Sequence, residues 1–329
     1  NVEIGSVYLG ITGAHISAMN RSGVHPIPTV DREIDEADLL RVKENASPQL
    51  TADHELLHSV RQNYRVDGQD GVDNPLGRFA SRLEVDVHHV IGQTTRIQNP
   101  VRVVKSLGID VEDVAFTGRA VAMAAVTPTL GEQGVAVIDL GAGTTEYTAF
   151  INGTHRHSGV FAVGGEHVTN DISVGLKLSQ SRAEKLKLEY GSAVVDPCVA
   201  GRMVNFSSDV GFNDKAASVG HLHQVMNARL DELLRLIRND LGAKGILDRI
   251  QGGVILTGGG ARTPHLDLLA REVFELDIIT GQAVRENGPE SILNQPEFAA
   301  AIGLVKYGAQ HAAEQSRSRG GLFGWLVGR

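Results

Sequence analysis

Residues 54–58 read His-Glu-Leu-Leu-His, which matches the His-Glu-x-x-His pattern of zinc peptidases. On a helix, His54 and His58 would lie one turn apart and hold Zn²⁺ while Glu55 activates a water molecule. The residues that follow, 59–61, do not continue the longer pattern that supplies a third histidine ligand. The neighbouring apolar residues suit a helix face as well as a strand. The zinc hypothesis therefore depends on which backbone the segment adopts.

A glycine-rich turn at residues 139–145 is a second candidate site. An acidic residue ends an apolar run, and two glycines and two threonines follow it: Asp139, Gly141, Gly143, Thr144 and Thr145. Glycine leaves backbone N–H groups accessible to phosphate oxygens, and the threonine hydroxyls can add donors. The carboxylate is suited to Mg²⁺ held through water. A plain β-hairpin with a glycine turn explains the same residues about as well.

Two further glycine turns precede predicted helices. The first contains Gly164 and Gly165, and the second is a glycine triplet followed by an arginine: Gly258, Gly259, Gly260 and Arg262. A strand, a glycine turn and a helix form a common phosphate-binding arrangement, because backbone N–H groups are free at the helix N-terminus. A tight turn without a ligand is the alternative in each case.

Composition excludes several classes of protein. The chain has 329 residues with 42% hydrophobic residues and a net charge of −8, which argues against a nucleic-acid binder. A single cysteine, Cys198, excludes an intrachain disulfide and a multi-cysteine zinc site, and it favours a reducing compartment. The N-terminus lacks the pattern of a signal peptide, and no apolar run is long enough to span a membrane. Because the first residue is not Met, a fragment or a processed product is expected.

Hydrophobic periodicity predicts an alternation of strands and helices. Strands are expected over 6–13, 82–92 and 134–140, where the apolar residues alternate or run continuously. Helices are expected over 34–46, 118–126, 219–242 and 298–309, where apolar residues recur at helical spacing.

The order of these motifs carries a family resemblance. An Asp-Leu-Gly-x-Gly-Thr-Thr turn, a Gly-Gly turn before a helix, a helical insertion, a Leu-Thr-Gly-Gly-Gly turn and a small-residue helix follow one another. This order resembles the actin/Hsp70/hexokinase ATPase superfamily and, within it, the bacterial FtsA family of cell-division proteins. The segments that resemble this family most are VYLGITGAHI, DNPLG, EVDVHHVIG, TNDISVGLKLSQSRAEKLKLEYGSA and NQPEFAAAIGLVKYG.

The resemblance implies an α/β, actin-like, two-lobed fold with an inserted α+β subdomain. It implies the insert at 6–90, the rest of the first lobe at 91–160 and 294–312, and the second lobe at 161–180 and 250–293. A small helical subdomain at 181–249 and a linker with a membrane-targeting tail at 313–329 complete the expected organisation. The family's first strand and first phosphate loop have no match, so an N-terminally truncated lobe is expected.

The same resemblance implies a site for ATP and Mg²⁺. The turn at 139–145 corresponds to the second phosphate loop, Gly164 and Gly165 to the turn beside the phosphates, and 258–262 to the adenosine loop. Asp139 corresponds to the residue that holds Mg²⁺ through water. Glu184 and Lys187 correspond to the adenine side of the cleft, although on their own they form an ordinary charge pair on a helix surface. The missing first loop would weaken nucleotide binding.

The C-terminal tail has an apolar face. At helical spacing, one arc contains Leu322, Phe323, Trp325, Leu326 and Val327. Nine helical residues extend only ~13 Å, so such a tail lies in a membrane surface and does not cross it. A frayed tail is the alternative from the residues alone, whereas the family resemblance favours a membrane-targeting helix that binds anionic lipid.

The family implies an adaptor protein at the division septum. Its members tether polymers of the tubulin-like FtsZ to the cytoplasmic face of the membrane, recruit later division proteins through the insert, and self-associate into actin-like polymers. No nucleic-acid partner is expected. Any ATP hydrolysis would be slow, and a turnover ATPase or sugar kinase of the same superfamily is the alternative. The resemblance also places residues 54–58 on a strand, where His54 and His58 would lie ~13 Å apart on one face and could not share a zinc ion.

Overall fold

The computed structural model describes residues 4–28, 32–206, 215–281 and 295–324. Its strands are β1 (Ser6–Ile11), β2 (Ile16–Pro26), β3 (His54–Val66), β4 (Gln69–Val72), β5 (Arg82–Gln93), β6 (Asp110–Phe116), β7 (Val135–Leu140), β8 (Thr145–Ile151), β9 (Thr154–Phe161), β10 (Met203–Phe206), β11 (Lys215–Ser218), β12 (Val254–Thr257) and β13 (Ile278–Thr280). Its α-helices are α1 (Glu36–Ala46), α2 (Thr94–Ser106), α3 (Thr117–Ala125), α4 (Pro128–Gln133), α5 (Gly165–Leu176), α6 (Gln180–Tyr190), α7 (Val219–Ala243), α8 (Leu266–Phe274) and α9 (Ala299–Gly324).

A five-stranded mixed sheet positions the glycine turns. Its strand order is β13-β12-β7-β8-β9, with β12 parallel to both β7 and β13 and with β7, β8 and β9 joined as antiparallel hairpins. The predicted apolar strand before the first glycine turn is confirmed as β7, whose residues are buried except for the half-buried Asp139. Because β7 and β12 are parallel neighbours, the turns that follow them meet at the same edge of the sheet.

Helix α7 covers one face of this sheet. Its predicted apolar stripe is confirmed, since its buried residues include Leu222, Met226, Leu230, Leu233, Leu234 and Ile237. These side chains belong to one core cluster with Ile138 and Leu140 of β7 and with Ile172 of α5. The helix begins at an N-cap hydrogen bond, in which the Ser218 hydroxyl accepts from the amide of His221 at 3.4 Å.

The inserted unit is a four-stranded antiparallel sheet with one helix against it. The strand order is β2-β5-β3-β4, and α1 packs against β2 and β5. The sequence placed residues 6–11 in this unit, but β1 pairs in parallel with β6, from Ser6 beside Asp110 to Ile11 beside Phe116. Ile11 and Phe116 are buried in one cluster, and this apolar contact explains why the strand lies outside the insert's sheet.

The zinc-peptidase pattern lies on a strand. Strand β3 starts at His54 and pairs with β5, and an irregularity in this pairing falls between Leu56 and His58. In a regular strand His54 and His58 would point to the same face of the sheet. The irregularity between Leu56 and His58 interrupts this alternation of side chains. His54 contacts Asp53 at 3.0 Å, whereas His58 is buried and accepts a hydrogen bond from the Phe116 amide at 2.9 Å. The described residues contain no group of three or more His, Cys, Asp or Glu that could hold a metal ion.

The C-terminal helix is longer than the sequence suggested. A helix was expected to end near residue 309 and a linker to follow, but α9 continues from Ala299 to Gly324. Propagating an existing helix needs no new nucleus, and no proline interrupts this stretch.

Leu322 and Phe323 fall within α9, whereas Trp325, Leu326 and Val327 lie outside the described residues. None of the helices in the described ranges is long and apolar enough to cross a membrane.

Candidate functional site

A cleft of about 660 Å³ opens where the glycine turns meet. Its walls come from the turn after β7, the start of α5, the exposed side of α6, the apolar face of α7 and the turn after β12. Eight of the predicted nucleotide-site residues line it: Gly141, Gly164, Gly165, Glu184, Lys187, Gly259, Gly260 and Arg262. The other five do not line it: Asp139, Gly143, Thr144, Thr145 and Gly258.

The start of α5 is bound to the first glycine turn through the backbone. The Gly165 amide donates to the Gly141 carbonyl at 2.9 Å, and the Glu166 amide donates to the Ala142 carbonyl at 2.8 Å. A Cβ atom at Gly164 would lie 2.5 Å from the Ala142 carbonyl oxygen, so no other residue fits there without a shift. The turn containing Gly164 and Gly165 therefore supports the loop, and the Gly165 and Glu166 amides are already used.

The glycines after β12 allow a second close approach. Gly258 has a φ of +80°, and a Cβ atom there would lie 2.1 Å from Oδ1 of Asp139. A Cβ atom at Gly260 would lie 2.6 Å from Cβ of Leu140. These two glycines are therefore explained by the packing of two neighbouring strand ends. Gly143 differs, because nothing lies within 4 Å of a Cβ atom built there.

The two predicted threonine donors have protein partners. Thr145 is fully buried, and its hydroxyl donates to the Val163 carbonyl at 2.8 Å. Its hydroxyl hydrogen is therefore already used in a hydrogen bond within the protein and is not available to a ligand. Thr144 lies 3.1 Å, Oγ1 to Oγ1, from Thr12, which precedes the insert's first strand. The sequence showed two hydroxyls beside a glycine turn but not which of them faces inward, since that depends on the β8 pairing.

Arg262 is held in an ion pair across the edge of the cleft. Its Nε donates to Glu297 at 2.7 Å, and its Nη2 lies 2.6 Å from the other carboxylate oxygen. The same loop is fixed by the Thr257 hydroxyl and the Gly258 amide, which both donate to the Pro296 carbonyl, at 3.0 and 3.1 Å. Arg262 therefore joins the glycine turn after β12 to the segment that starts α9, in addition to lining the cleft.

Glu184 and Lys187 belong to a network at the cleft wall. Lys187 Nζ donates to the Gly165 carbonyl at 3.0 Å and to the Thr169 hydroxyl at 2.8 Å, and it lies 2.7 Å from the Glu184 carboxylate. Burial opposes ionisation of Glu184, but hydrogen bonds from Lys187 and Thr169 outweigh it and hold the pKa of this carboxyl below its usual value. The pair therefore braces α6 against α5, which a charge pair on a solvated helix would not do.

Sequence reasoning missed the apolar wall of the cleft. Leu188 of α6 and three residues of α7, Met226, Leu230 and Leu233, line it. The periodicity of α7 correctly identified its three residues as core, since all three are buried, and it could not show that they also form the floor of a cleft. Thr169 and Gln180 are polar lining residues that were also missed.

Two carboxylates lie side by side behind the first glycine turn. Asp139 and Glu146 are direct partners across the antiparallel β7–β8 pair, so they share a face of the sheet. Burial raises the pKa of Asp139 to about 6. Burial also raises the pKa of Glu146 to about 7, although hydrogen bonds from the Thr117 hydroxyl, at 2.6 and 2.8 Å, oppose this shift.

This carboxylate pair fits the requirements of a hydrated magnesium ion. Mg²⁺ prefers oxygen ligands and retains most of its water, so one or two carboxylates next to a phosphate site are sufficient. The two acids are desolvated, and a cation would favour their ionised forms. Asp139, next to the turn, is the residue that would hold such an ion through water, with Glu146 behind it.

Glu146→Gln removes one of these buried charges, and its effect on stability is expected to depend on pH. Because folding raises the pKa of Glu146, the wild type has its full stability below the unfolded pKa of about 4.5 and loses stability as the pH rises through about 7. We expect the variant to gain about 2–3 kcal/mol relative to wild type between pH 5 and pH 8. Urea denaturation at both pH values measures this. Glu44→Gln, an exposed change on α1, serves as the control, and an equal difference at both pH values would contradict the burial of this charge.

Two protein-family models match this chain, one over the glycine turns and one over the insert. The family model described as cell division protein FtsA matches residues 136–303, which include all three glycine turns. A second model, described as the SHS2 domain inserted in FTSA, matches residues 13–91. This range contains the four-stranded sheet and leaves β1 outside it, in agreement with the pairing of β1 with β6.

Relatives and solved structures lead to the same family and fold. Cell division protein FtsA of Pseudomonas aeruginosa is 33% identical over 95% of this chain and 75% of the relative, and that of Escherichia coli K12 is 30% identical over 94% and 75%. MreB5 of Spiroplasma citri bound to ADP aligns with a TM-score of 0.56 at 19% identity, over 68% of each chain. The PilM–PilN type IV pilus biogenesis complex aligns with a TM-score of 0.56 at 17% identity, over 88% of this chain and 76% of that one. The family and fold predicted from the sequence are confirmed: this chain belongs to the FtsA family of cell-division proteins and has an actin-like fold with an inserted SHS2 domain.

Proposed function

We propose that the cleft binds an adenine nucleotide together with Mg²⁺. The observation that carries this proposal is the meeting of three glycine turns at one cleft of about 660 Å³, a volume suited to a small organic ligand, with the Asp139–Glu146 pair behind the first of these turns. MreB5 of Spiroplasma citri, which has the same fold, has been solved with ADP and with AMPPNP, and this supports a nucleotide as the ligand.

The chemistry of the walls suggests how the nucleotide lies. The phosphates approach the turn at 141–143, where Gly143 leaves the backbone open. The base lies on the apolar wall of Leu188, Met226 and Leu230, beside the Glu184–Lys187 pair. Arg262 and its ion pair with Glu297 close the cleft on the opposite side. Asp139 would hold the magnesium ion through water, and hydrolysis, where it occurs, is slow and regulatory.

At the cellular level, we propose an adaptor at the division septum. Membership in the FtsA family supports tethering of FtsZ polymers to the cytoplasmic face of the membrane and recruitment of later division proteins through the insert. It also supports self-association into actin-like polymers. The tail residues Leu322, Phe323, Trp325, Leu326 and Val327 supply the membrane contact, and the arginines of the tail favour anionic lipid.

Gly143→Ala tests the nucleotide site directly. Since nothing in the protein lies within 4 Å of the added Cβ atom, the unliganded variant should keep the melting temperature of the wild type. A phosphate at this turn would meet the methyl group, so we expect ADP affinity to fall about tenfold, which is about 1.4 kcal/mol. Titration calorimetry with Mg²⁺–ADP measures the affinity.

Gly201→Ala is the matched control for this variant, because its added Cβ atom also has nothing within 4 Å and lies away from the cleft. The control should bind ADP as the wild type does. If Gly143→Ala binds ADP with unchanged affinity, the phosphates do not lie against this turn.

Deletion of residues 320–329 tests the membrane contact. We expect the full chain to co-sediment with vesicles that contain phosphatidylglycerol and the truncated chain to remain mostly in the supernatant. The reason is that the deletion removes the apolar residues of the tail. Vesicles of phosphatidylcholine alone serve as the electrostatic control. Equal co-sedimentation of both chains would place the membrane contact elsewhere.

A further inference from the structure

The insert covers the edge of the central sheet with side-chain amides. Strand β9 is the last strand of the five-stranded sheet, so its outer backbone groups have no strand partner within the described residues. The Asn20 amide of β2 donates to the Arg156 carbonyl at 2.9 Å, and the Gln62 amide of β3 donates to the His155 carbonyl at 2.9 Å. These hydrogen bonds occupy the carbonyls of an exposed edge, which otherwise attracts other strands.

A chain of hydrogen bonds crosses the same interface. His88 Nδ1 lies 2.6 Å from the side-chain oxygen of Asn20, and its Nε2 lies 2.6 Å from the Ser158 hydroxyl of β9. His155 Nε2 lies 3.1 Å from the same hydroxyl. Because the Asn20 oxygen only accepts, Nδ1 of His88 donates and its Nε2 accepts from Ser158, which in turn accepts from His155. This assignment gives every member a partner only while His88 is neutral.

His58 makes the corresponding contact with the first lobe. Its Nε2 accepts the Phe116 amide of β6 at 2.9 Å, so this nitrogen must also be unprotonated. His58, His88 and His155 are 7%, 0% and 4% exposed, and they lie where the insert meets β6 and β9. Burial lowers the pKa of His58 and of His88 to about 3, and burial also lowers the pKa of His155 well below its usual value.

Charged side chains near His58, His88 and His155 also influence how readily these imidazoles are protonated. Arg119 opposes protonation of all three, and Asp113 of β6 favours protonation of His58. Tyr307 of α9 packs edge-on against His58, with ring centroids 5.7 Å apart. Other ionisable groups nearby are His89 of β5, His157 and Arg156 of β9, Asp86, Asp70 and Arg249 near Arg156, and Asp240 and Lys244 near His157. The hydrogen-bond partners described for His58, His88 and His155 are an amide oxygen, a hydroxyl and a backbone amide, and none of them is a carboxylate.

We propose that His58, His88 and His155 form a proton-sensitive clasp that holds the insert against the edge of β9 and releases it when the imidazoles become protonated. An added proton on Nε2 of His58 or His88 removes the acceptor that bonds the neighbouring element. Ile16 and Val90 of the insert also pack in one apolar cluster with Phe116 of β6, and protonation leaves that contact unchanged while it breaks the hydrogen bonds of His58 and His88. Release exposes the β9 carbonyls that Asn20 and Gln62 cover.

Linkage gives the sign and the size of the effect. While the insert is docked, the imidazoles are neutral. Release exposes them to solvent, and their pKa then returns to the ordinary value of about 6.5. Docking is therefore strongest above pH 6.5 and weakens as the pH falls below it. Between pH 7.5 and pH 5.5 the ratio of released to docked insert rises about tenfold for each imidazole that release exposes. Three imidazoles together give about a thousandfold.

The Phe116 amide is a direct reporter, because it donates to His58 across the interface. Residue-resolved hydrogen exchange of the full chain, corrected for the intrinsic pH dependence of exchange, gives its opening ratio at pH 7.5 and pH 5.5. We expect an increase of more than a hundredfold for Phe116. The Ile138 amide in β7 of the central sheet is the internal reference, and its opening ratio should change less than tenfold. An increase of tenfold or less at Phe116 would overturn the proposal, because His58 would then titrate alone.

Substitutions separate the clasp from a general effect of acid. His88→Gln should reduce the pH-dependent increase in the Phe116 opening ratio about tenfold. His155→Gln should have the same effect, and it replaces His88→Gln if that variant does not fold. His221→Gln, an exposed change at the start of α7, should leave the increase unchanged. Ser158→Ala should raise the opening ratio at pH 7.5 and retain most of the pH dependence. A clasp variant that keeps the full increase would also overturn the proposal.

Discussion

Close contact between backbones at Gly164 determines the geometry of the cleft. The amides that begin α5 donate to the carbonyls of Gly141 and Ala142, and a Cβ atom at Gly164 would lie 2.5 Å from one of those oxygens. The first glycine turn is thereby fixed on the end of a helix. Gly258 brings the neighbouring turn against Asp139 in the same way. The cleft, its carboxylate pair and the wall formed by α6 and α7 all depend on this arrangement.

A second set of contacts places the insert on this framework, and it combines an apolar cluster around Ile16, Val90 and Phe116 with directed hydrogen bonds. Asn20 and Gln62 cover the edge of β9, and His58 and His88 bond to groups of the lobe. Hydrogen bonds between buried neutral groups are specific in direction, but each contributes only about 1 kcal/mol to stability. The insert therefore has a defined position that a change of a few protons can alter. In contrast, α7 is held mainly by a large apolar cluster.

Local pattern was sufficient to predict the strands β1, β5 and β7, the helices α1, α3 and α7, and the glycine turns. The apolar run of β7, the turn after it and the stripe of α7 follow from residue type and spacing alone. Local pattern failed where a tertiary partner decides the outcome. Thr145 is turned to Val163 by the pairing of β8, Arg262 is bound to Glu297 from a distant segment, and β1 joins β6 across the whole insert. The residues at 54–58 show the same limit, because only the pairing of β3 with β5 excludes the helix that a zinc site needs.

The central claim is that the three glycine turns form one nucleotide site, and equilibrium dialysis of the full chain against Mg²⁺–ATP tests it most directly. The geometry predicts saturable binding of about one nucleotide per chain with a Kd below about 1 mM, and displacement of that nucleotide by ADP. Hydrogen exchange of the complex should show protection at 141–144 and 259–262. Binding that does not saturate, or protection confined to other segments, would contradict the claim.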